Sequence, residues 1–207
     1  MVDFESAFKR PFTDIKKLVI GIVLQIIPIV NFLALGYQLN CAKTAMSKDF
    51  KLPEWEDWGK LFVKGLLAII IGVIYMLPAL IVLIASFGMA LFAALGARGG
   101  GAGAIVMGSM GIGVFIGLLL MLLAAYVLPI AILSYVKDDK LGSAFKFKAV
   151  FKKAFRVNYL VVWIVMAIYE IILVAILSFI PIIGSAVGAF IASVTSMTAF
   201  GEVYPEL

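Results

Sequence analysis

Glu170 is the residue through which this chain could most directly do chemistry. It lies in Val165-Met-Ala-Ile-Tyr-Glu-Ile-Ile172, deep inside a long apolar run. A carboxylate is expensive in hydrocarbon, so Glu170 must be protonated, paired or turned toward water. Two roles fit: a proton- or cation-binding carboxyl inside a helical bundle, with Tyr169 beside it, or a neutral acid hydrogen-bonded to a hydroxyl or carbonyl that fixes helix packing. Gln25, Asn31, Gln38, Asn40 and Cys41 form a second polar set, within residues 18–46. Such groups either line a water-filled vestibule or satisfy backbone groups freed at a bend. Much other chemistry is excluded by composition. The chain has no histidine, and Cys41 is its one cysteine, which removes Ser-His and Cys-His nucleophile pairs, an intrachain disulfide and a thiolate zinc cluster. No acid pair or metal-ligand cluster can be assembled from what remains, so we expect no enzymatic activity, no cofactor and no metal.

The elements that position these residues must be helices in lipid. With 64% hydrophobic and 14% charged residues over 207 positions, the chain has more apolar surface than a soluble domain could bury. Four apolar regions (18–39, 66–95, 104–136 and 157–200) show no strand alternation, so the expected fold is all-α, a polytopic helical membrane protein. The net charge of +5 is read as a topology signal rather than as nucleic-acid binding. Lys16-Lys17 ahead of an apolar run ending in Ala34-Leu-Gly36 has the outline of a signal peptide, but the run starts late, and we read it as retained.

Basic residues decide how the first region is threaded. Four precede residue 18, five lie between 43 and 64, seven lie in 137–156, and only Arg98 stands elsewhere. A single crossing over 18–40 would put the first two groups on opposite sides, against the positive-inside rule. A bend in Gln25-Ile-Ile-Pro-Ile-Val-Asn-Phe32, at Pro28 to Asn31, puts all but Arg98 on the cytoplasmic side. Ile27-Pro-Ile-Val-Asn31 is echoed by Ile180-Pro-Ile-Ile-Gly184, and Ser6-Ala-Phe-Lys9 by Ser143-Ala-Phe-Lys146, which suggests an internal repeat of surface helix and hairpin. In each bend Asn31 or Gly184 is the residue suited to a left-handed turn after Pro28 or Pro181.

The expected architecture is therefore one membrane domain of three helical hairpins with cytoplasmic amphipathic segments. Residues 1–46 form a surface helix and a short hairpin that penetrates without fully crossing. Residues 52–136 form an interfacial helix and a long hairpin, with kinks at Pro78 and Pro129 and a glycine-rich external turn around 96–103. Residues 137–207 form a basic amphipathic helix and a third hairpin. Pro53-Glu-Trp-Glu-Asp-Trp58 reads as a helix start that sets Trp55, Trp58 and Phe62 on one face as interfacial anchors. Phe147, Phe151 and Phe155 recur every four positions, opposite Lys146, Lys153 and Arg156, as a helix lying on an anionic leaflet or docking a soluble partner. Gly184, Gly188, Ala192 and Ser196 form a small-residue stripe for close helix packing.

The run Leu52-Pro-Glu-Trp-Glu-Asp-Trp-Gly59, with Tyr75-Met-Leu-Pro78, resembles the signature of a family of archaeal and bacterial multi-pass membrane proteins catalogued as a domain of unknown function. The resemblance implies a prokaryotic cytoplasmic membrane, with both termini cytoplasmic on the topology above, and supplies no activity. Two functions stay open: a non-enzymatic module that binds membrane lipids or partners, itself included, and a small transporter or channel built on Glu170.

Overall fold

The computed structural model describes residues 2–96, 102–180 and 183–207. The glycine-rich turn after residue 96, Arg98 and Pro181 lie outside them. The described residues hold eight α-helices and no strand: α1 (Phe4–Lys9), α2 (Ile15–Ile26), α3 (Asn31–Ala45), α4 (Trp58–Gly96), α5 (Ala102–Asp138), α6 (Phe147–Ala154), α7 (Val157–Leu177) and α8 (Ile183–Val203). Four stretches, Trp58–Leu91, Met110–Asp138, Val157–Leu177 and Ile183–Glu206, are long and apolar enough to cross a membrane. The chain divides into two compact units, Met1–Ile71 with Pro129–Leu207, and Gly72–Leu128.

In the first unit α8 is the central helix. About two thirds of its spanning window is buried, against 11% for α7, because α8 takes α2 and α3 on some faces and α7 on another. Close approach is what the sequence supplies at the crossings. A Cβ at Gly21 of α2 would enter the Phe190 ring, and one at Gly201 would strike the Ala42 carbonyl of α3. Any larger side chain at either position would push the helices apart, losing dispersion contacts along the whole seam.

The bend in the first apolar region is present. α2 begins at Asp14, whose carboxylate accepts from Lys16 N at 3.0 Å and Lys17 N at 3.2 Å, a cap at the positive end of the dipole. It stops before Pro28, which cannot donate. The turn then closes on itself: Asn31 N donates to Ile27 O, Phe32 N to Ile29 O and Leu33 N to Val30 O. Self-pairing of this kind is what an apolar environment demands of a bend. Asn31 is not the left-handed residue, however. It opens α3, while Ile29 takes φ 70°, because the residue after Pro28 must reverse the chain before α3 can start. Gly184 is helical too, and no described glycine has positive φ.

At 1.5 Å per residue, the 12 residues of α2 and 15 of α3 reach about 18 and 22 Å, while the 21 residues of α7 and of α8 reach about 31 Å. Only the latter pair matches a hydrocarbon core of about 30 Å.

Two interfacial segments depart from expectation. Pro53 to Asp57 is not helical; α4 starts at Trp58, and Asp57 precedes it at φ 51°. The 137–156 region is not one helix either. α5 runs to Asp138, a left-handed Asp139 breaks it, a 3₁₀ turn spans Leu141–Phe145, and α6 has eight residues. The Ser6 and Ser143 segments likewise differ in conformation, one in an α-helix and the other in that 3₁₀ turn. Both nevertheless bury their alanine, Ala7 or Ala144, and both serines donate to an upstream aspartate at 2.6 Å.

The second unit comprises the facing stretches of α4 and α5. A Cβ on Gly113 would overlap Ser86 Oγ, and one on Gly117 would sit 2.5 Å from Leu83 Cδ2, so glycine lets these helices touch. Ser86 Oγ turns back to Val82 O at 2.7 Å. The outward faces, including Ile81, Ile84, Phe87, Ile112 and Phe115, are exposed and apolar, as lipid-facing surface is. Both α4 and α5 continue through their prolines, Pro78 and Pro129. Pro78 is exposed.

Candidate functional site

The polar residues singled out in the sequence converge on α8. On the α7 side, Ser196 Oγ donates to Glu170 Oε1 at 2.6 Å. The stripe that carries Ser196 faces α7 along its length: a Cβ on Gly184 would strike the Leu177 carbonyl, one on Gly188 would lie 3.2 Å from Leu177 Cδ1, and Ala192 is buried. Small residues thus bring the two backbones together, and at the far end of the same stripe the serine meets the acid. Tyr169 does not join Glu170. Its ring packs on Phe8 of α1, with centroids 4.8 Å apart.

On the α3 side, Ser193 Oγ donates to Gln38 Oε1 at 2.7 Å, and Gln38 Nε2 reaches Gln25 Oε1 of α2 at 3.5 Å. Three helices are linked through one buried glutamine. Asn31 stands apart from this chain; its Oδ1 is buried without a hydrogen-bond partner among the described residues. Asn40 Oδ1 accepts from Lys64 Nζ at 2.9 Å.

Sequence reasoning missed the most heavily bonded side chain in the unit. Arg10 has 0% exposure. Its Nη1 donates to Cys41 O at 2.8 Å and Thr198 Oγ1 at 3.0 Å; its Nη2 donates to Thr44 Oγ1 at 2.5 Å and Lys51 O at 2.7 Å. All four acceptors are neutral, and burial lowers the guanidinium pKa from its ordinary value. One side chain therefore ties the N-terminal segment to α3, the loop after α3 and α8. A signal existed in the choice of residue: before Arg98 every basic side chain except Arg10 is lysine, and only a guanidinium presents a fork of donors to several acceptors at once.

Trp55 is likewise a packing residue. Its ring lies flat on Tyr37, with centroids 3.9 Å apart and planes at 7°, and its Nε1 donates to Lys17 O at 3.2 Å. Tyr37 Oη donates to Pro53 O at 3.1 Å, and Lys17 Nζ meets Leu52 O at 3.0 Å and Glu54 at 2.6 Å. These bonds hold 52–55 as an extended strap across α2 and α3, which is why no helix forms there. Trp58 remains 46% exposed, and Phe62 packs on Phe32 at 5.5 Å. On α6 the buried positions are Val150 and Ala154, leaving Phe147 and, just beyond the helix, Phe155 exposed, with Phe151 stacked on Phe155 at 6.0 Å. Lys153 is not on a solvated face; its Nζ sits 3.7 Å from the centre of the Tyr204 ring.

These contacts gather the basic ends of the first unit on one side. The start of α2, the end of α3, the start of α4 and the end of α5 meet through Lys17, Arg10, Lys64 and Lys43, the last paired with Asp139. Among the described residues no group of three His, Cys, Asp or Glu side chains is placed to hold a metal ion. The arrangement bonds its buried polar groups chiefly to one another, which fixes helix register.

Fold and site together define a polytopic helical membrane protein. The chain belongs to the protein family of unknown function DUF4013, whose family model matches residues 20–201. No curated protein and no solved structure matches it.

Proposed function

We propose that this protein is a non-enzymatic module of a prokaryotic cytoplasmic membrane, seated with its basic end and both termini on the cytoplasmic side, that binds lipid and partner proteins and organises its surroundings. One observation carries the reading: Glu170, the group a transport mechanism would need, has its carboxyl engaged by Ser196 at a tightly packed helix crossing. What the molecule presents outward instead is a basic and aromatic surface, with Phe147 and Phe155 projecting beside Lys146, Lys148 and Lys152. Such a surface suits an anionic leaflet, each lysine near it contributing about 1 kcal/mol.

The test has two arms. In proteoliposomes of phosphatidylglycerol and phosphatidylcholine, a pH or sodium gradient should decay no faster than in protein-free vesicles. A flux abolished by Glu170→Gln would replace this reading with a transporter. On a Cys41→Ser background, an environment-sensitive fluorophore at Phe155→Cys should shift to the blue in phosphatidylglycerol bilayers relative to phosphatidylcholine. Identical spectra in the two would remove the leaflet contact.

A further inference from the structure

A cleft at the basic end of the first unit is left unused by the surface of α6. Lys60, Val63, Lys64 and Leu67 of α4 form one wall, and Tyr135 and Asp139 the other, around a cavity of about 420 Å³. Spacings of three and four set the α4 residues on one face, with the lysines nearest the start of the helix and Leu67 further along the span.

The charges are unevenly matched. Lys43 and Lys64 both lean on Asp139, Lys64 Nζ at 3.9 Å from Oδ1, while Lys60 Nζ pairs with Asp57 at 2.5 Å. Three ammonium groups therefore face two carboxylates. Below them Val63 is exposed on a helix long and apolar enough to cross a membrane. A cationic rim over an apolar wall has the polarity profile of a phospholipid, whereas a free phosphate ion would use only the rim.

We propose that this cleft binds one anionic phospholipid, its phosphate between Lys60 and Lys64 and its first acyl carbons along Val63 and Leu67. The proposal deepens the lipid-binding reading above and rests on it, but it concerns a discrete site rather than a surface. Asp139 tunes that site, because its carboxylate competes with the phosphate for Lys43 and Lys64. Its backbone sits at φ 49°, which asparagine also tolerates, so Asp139→Asn removes the competing charge without disturbing the turn.

The experiment is native mass spectrometry of the full chain in detergent, supplied with phosphatidylglycerol and phosphatidylcholine of identical acyl chains. One phosphatidylglycerol per chain should be retained in preference to phosphatidylcholine. Lys60→Gln with Lys64→Gln should weaken retention about thirtyfold, the loss expected for two surface charges. Asp139→Asn should strengthen it several-fold, a gain that a damaged fold would not give. Lys9→Gln with Lys16→Gln, exposed charges outside both the cleft and the α6 surface, should leave it unchanged, and inorganic phosphate should not displace the lipid. Equal retention of the two lipids, equal loss from the Lys9 and Lys16 pair, displacement by inorganic phosphate, or an Asp139→Asn variant no tighter than the parent would each overturn the site. The leaflet contact fails separately, through the Phe155 fluorophore.

Discussion

Arg10 shows how a single residue can hold the polar interior of a membrane protein together. A buried cation usually has a carboxylate; Arg10 has two backbone carbonyls and two threonine hydroxyls. Partial charges from four directions replace one full charge, and two of the acceptors, Cys41 O and Thr198 Oγ1, are themselves buried and need a donor. Lysine brings three donors from a single nitrogen and cannot reach acceptors spread across a guanidinium's width. Arg10→Lys should therefore leave two or more groups unsatisfied and cost about 3 kcal/mol or more, read as a lowered midpoint in thermal unfolding in detergent. Thr198→Val removes one acceptor and leaves Nη1 its bond to Cys41 O, so about 1 kcal/mol is expected. The neighbouring thiol gives an independent reading of the same packing. Cys41 is fully buried, and burial pushes its pKa up to about 12, so the thiolate that reacts with maleimide is scarce in the folded chain. Labelling of native protein should stay negligible from pH 7 to 9, where an exposed thiol accelerates about 25-fold with ionisation, and should go to completion once the protein is unfolded. Mass spectrometry separates the two outcomes.

At the scale of elements, the strap and the bend divide what was legible from what was not. Basic residues flanking 18–40 required the chain to turn back, because sidedness is a constraint counted over whole loops, and the turn is there at Pro28. Which residue absorbs the left-handed conformation was not readable. Preference pointed to Asn31, but Asn31 already opens α3 and its N–H closes the turn on Ile27 O, which leaves the reversal to Ile29. A β-branched residue there is strained by about 1–2 kcal/mol. Ile29→Gly should recover part of that, raising stability by about 1 kcal/mol in a detergent melt. The strap failed for another reason. Trp55, Trp58 and Phe62 have helical spacing, and spacing alone cannot reveal that Trp55 has a flat partner in Tyr37 and an acceptor in Lys17. Those contacts come from residues distant in sequence. They predict that Trp55→Ala costs about 3–5 kcal/mol, as loss of a large packed side chain does, while Trp58→Ala, half-exposed, costs under about 1 kcal/mol. The helical reading of the motif would have the two cost the same.

For the whole molecule, the decisive quantity is length measured against the bilayer. α2 and α3 are about 10 Å shorter than α7 and α8, yet α2, α3 and α8 are tied near one end, where Arg10 joins Cys41 O to Thr198 and Lys17 reaches Leu52 O. In a hydrocarbon core of about 30 Å the tip of the first hairpin is therefore expected to stop inside the lipid, and Phe179 to reach the opposite interface, where aromatic rings settle. Ile29 is 66% exposed and Phe179 88% exposed. Labelling with a membrane-impermeant thiol reagent, on a Cys41→Ser background, should sort single cysteines into three classes. Glu5→Cys, Ser47→Cys and Gly142→Cys should react only from the basic side; Gly142 is a better probe than Ser143, which is buried against Asp138. Phe179→Cys should react only from the other side. Ile29→Cys should react from neither until detergent is added. Reaction of Ile29→Cys together with Phe179→Cys would mean that the bilayer thins around the short hairpin enough for it to cross. Gln25 and Asn31 would then lie near water, and the unpartnered Asn31 Oδ1 would have a solvent to answer it.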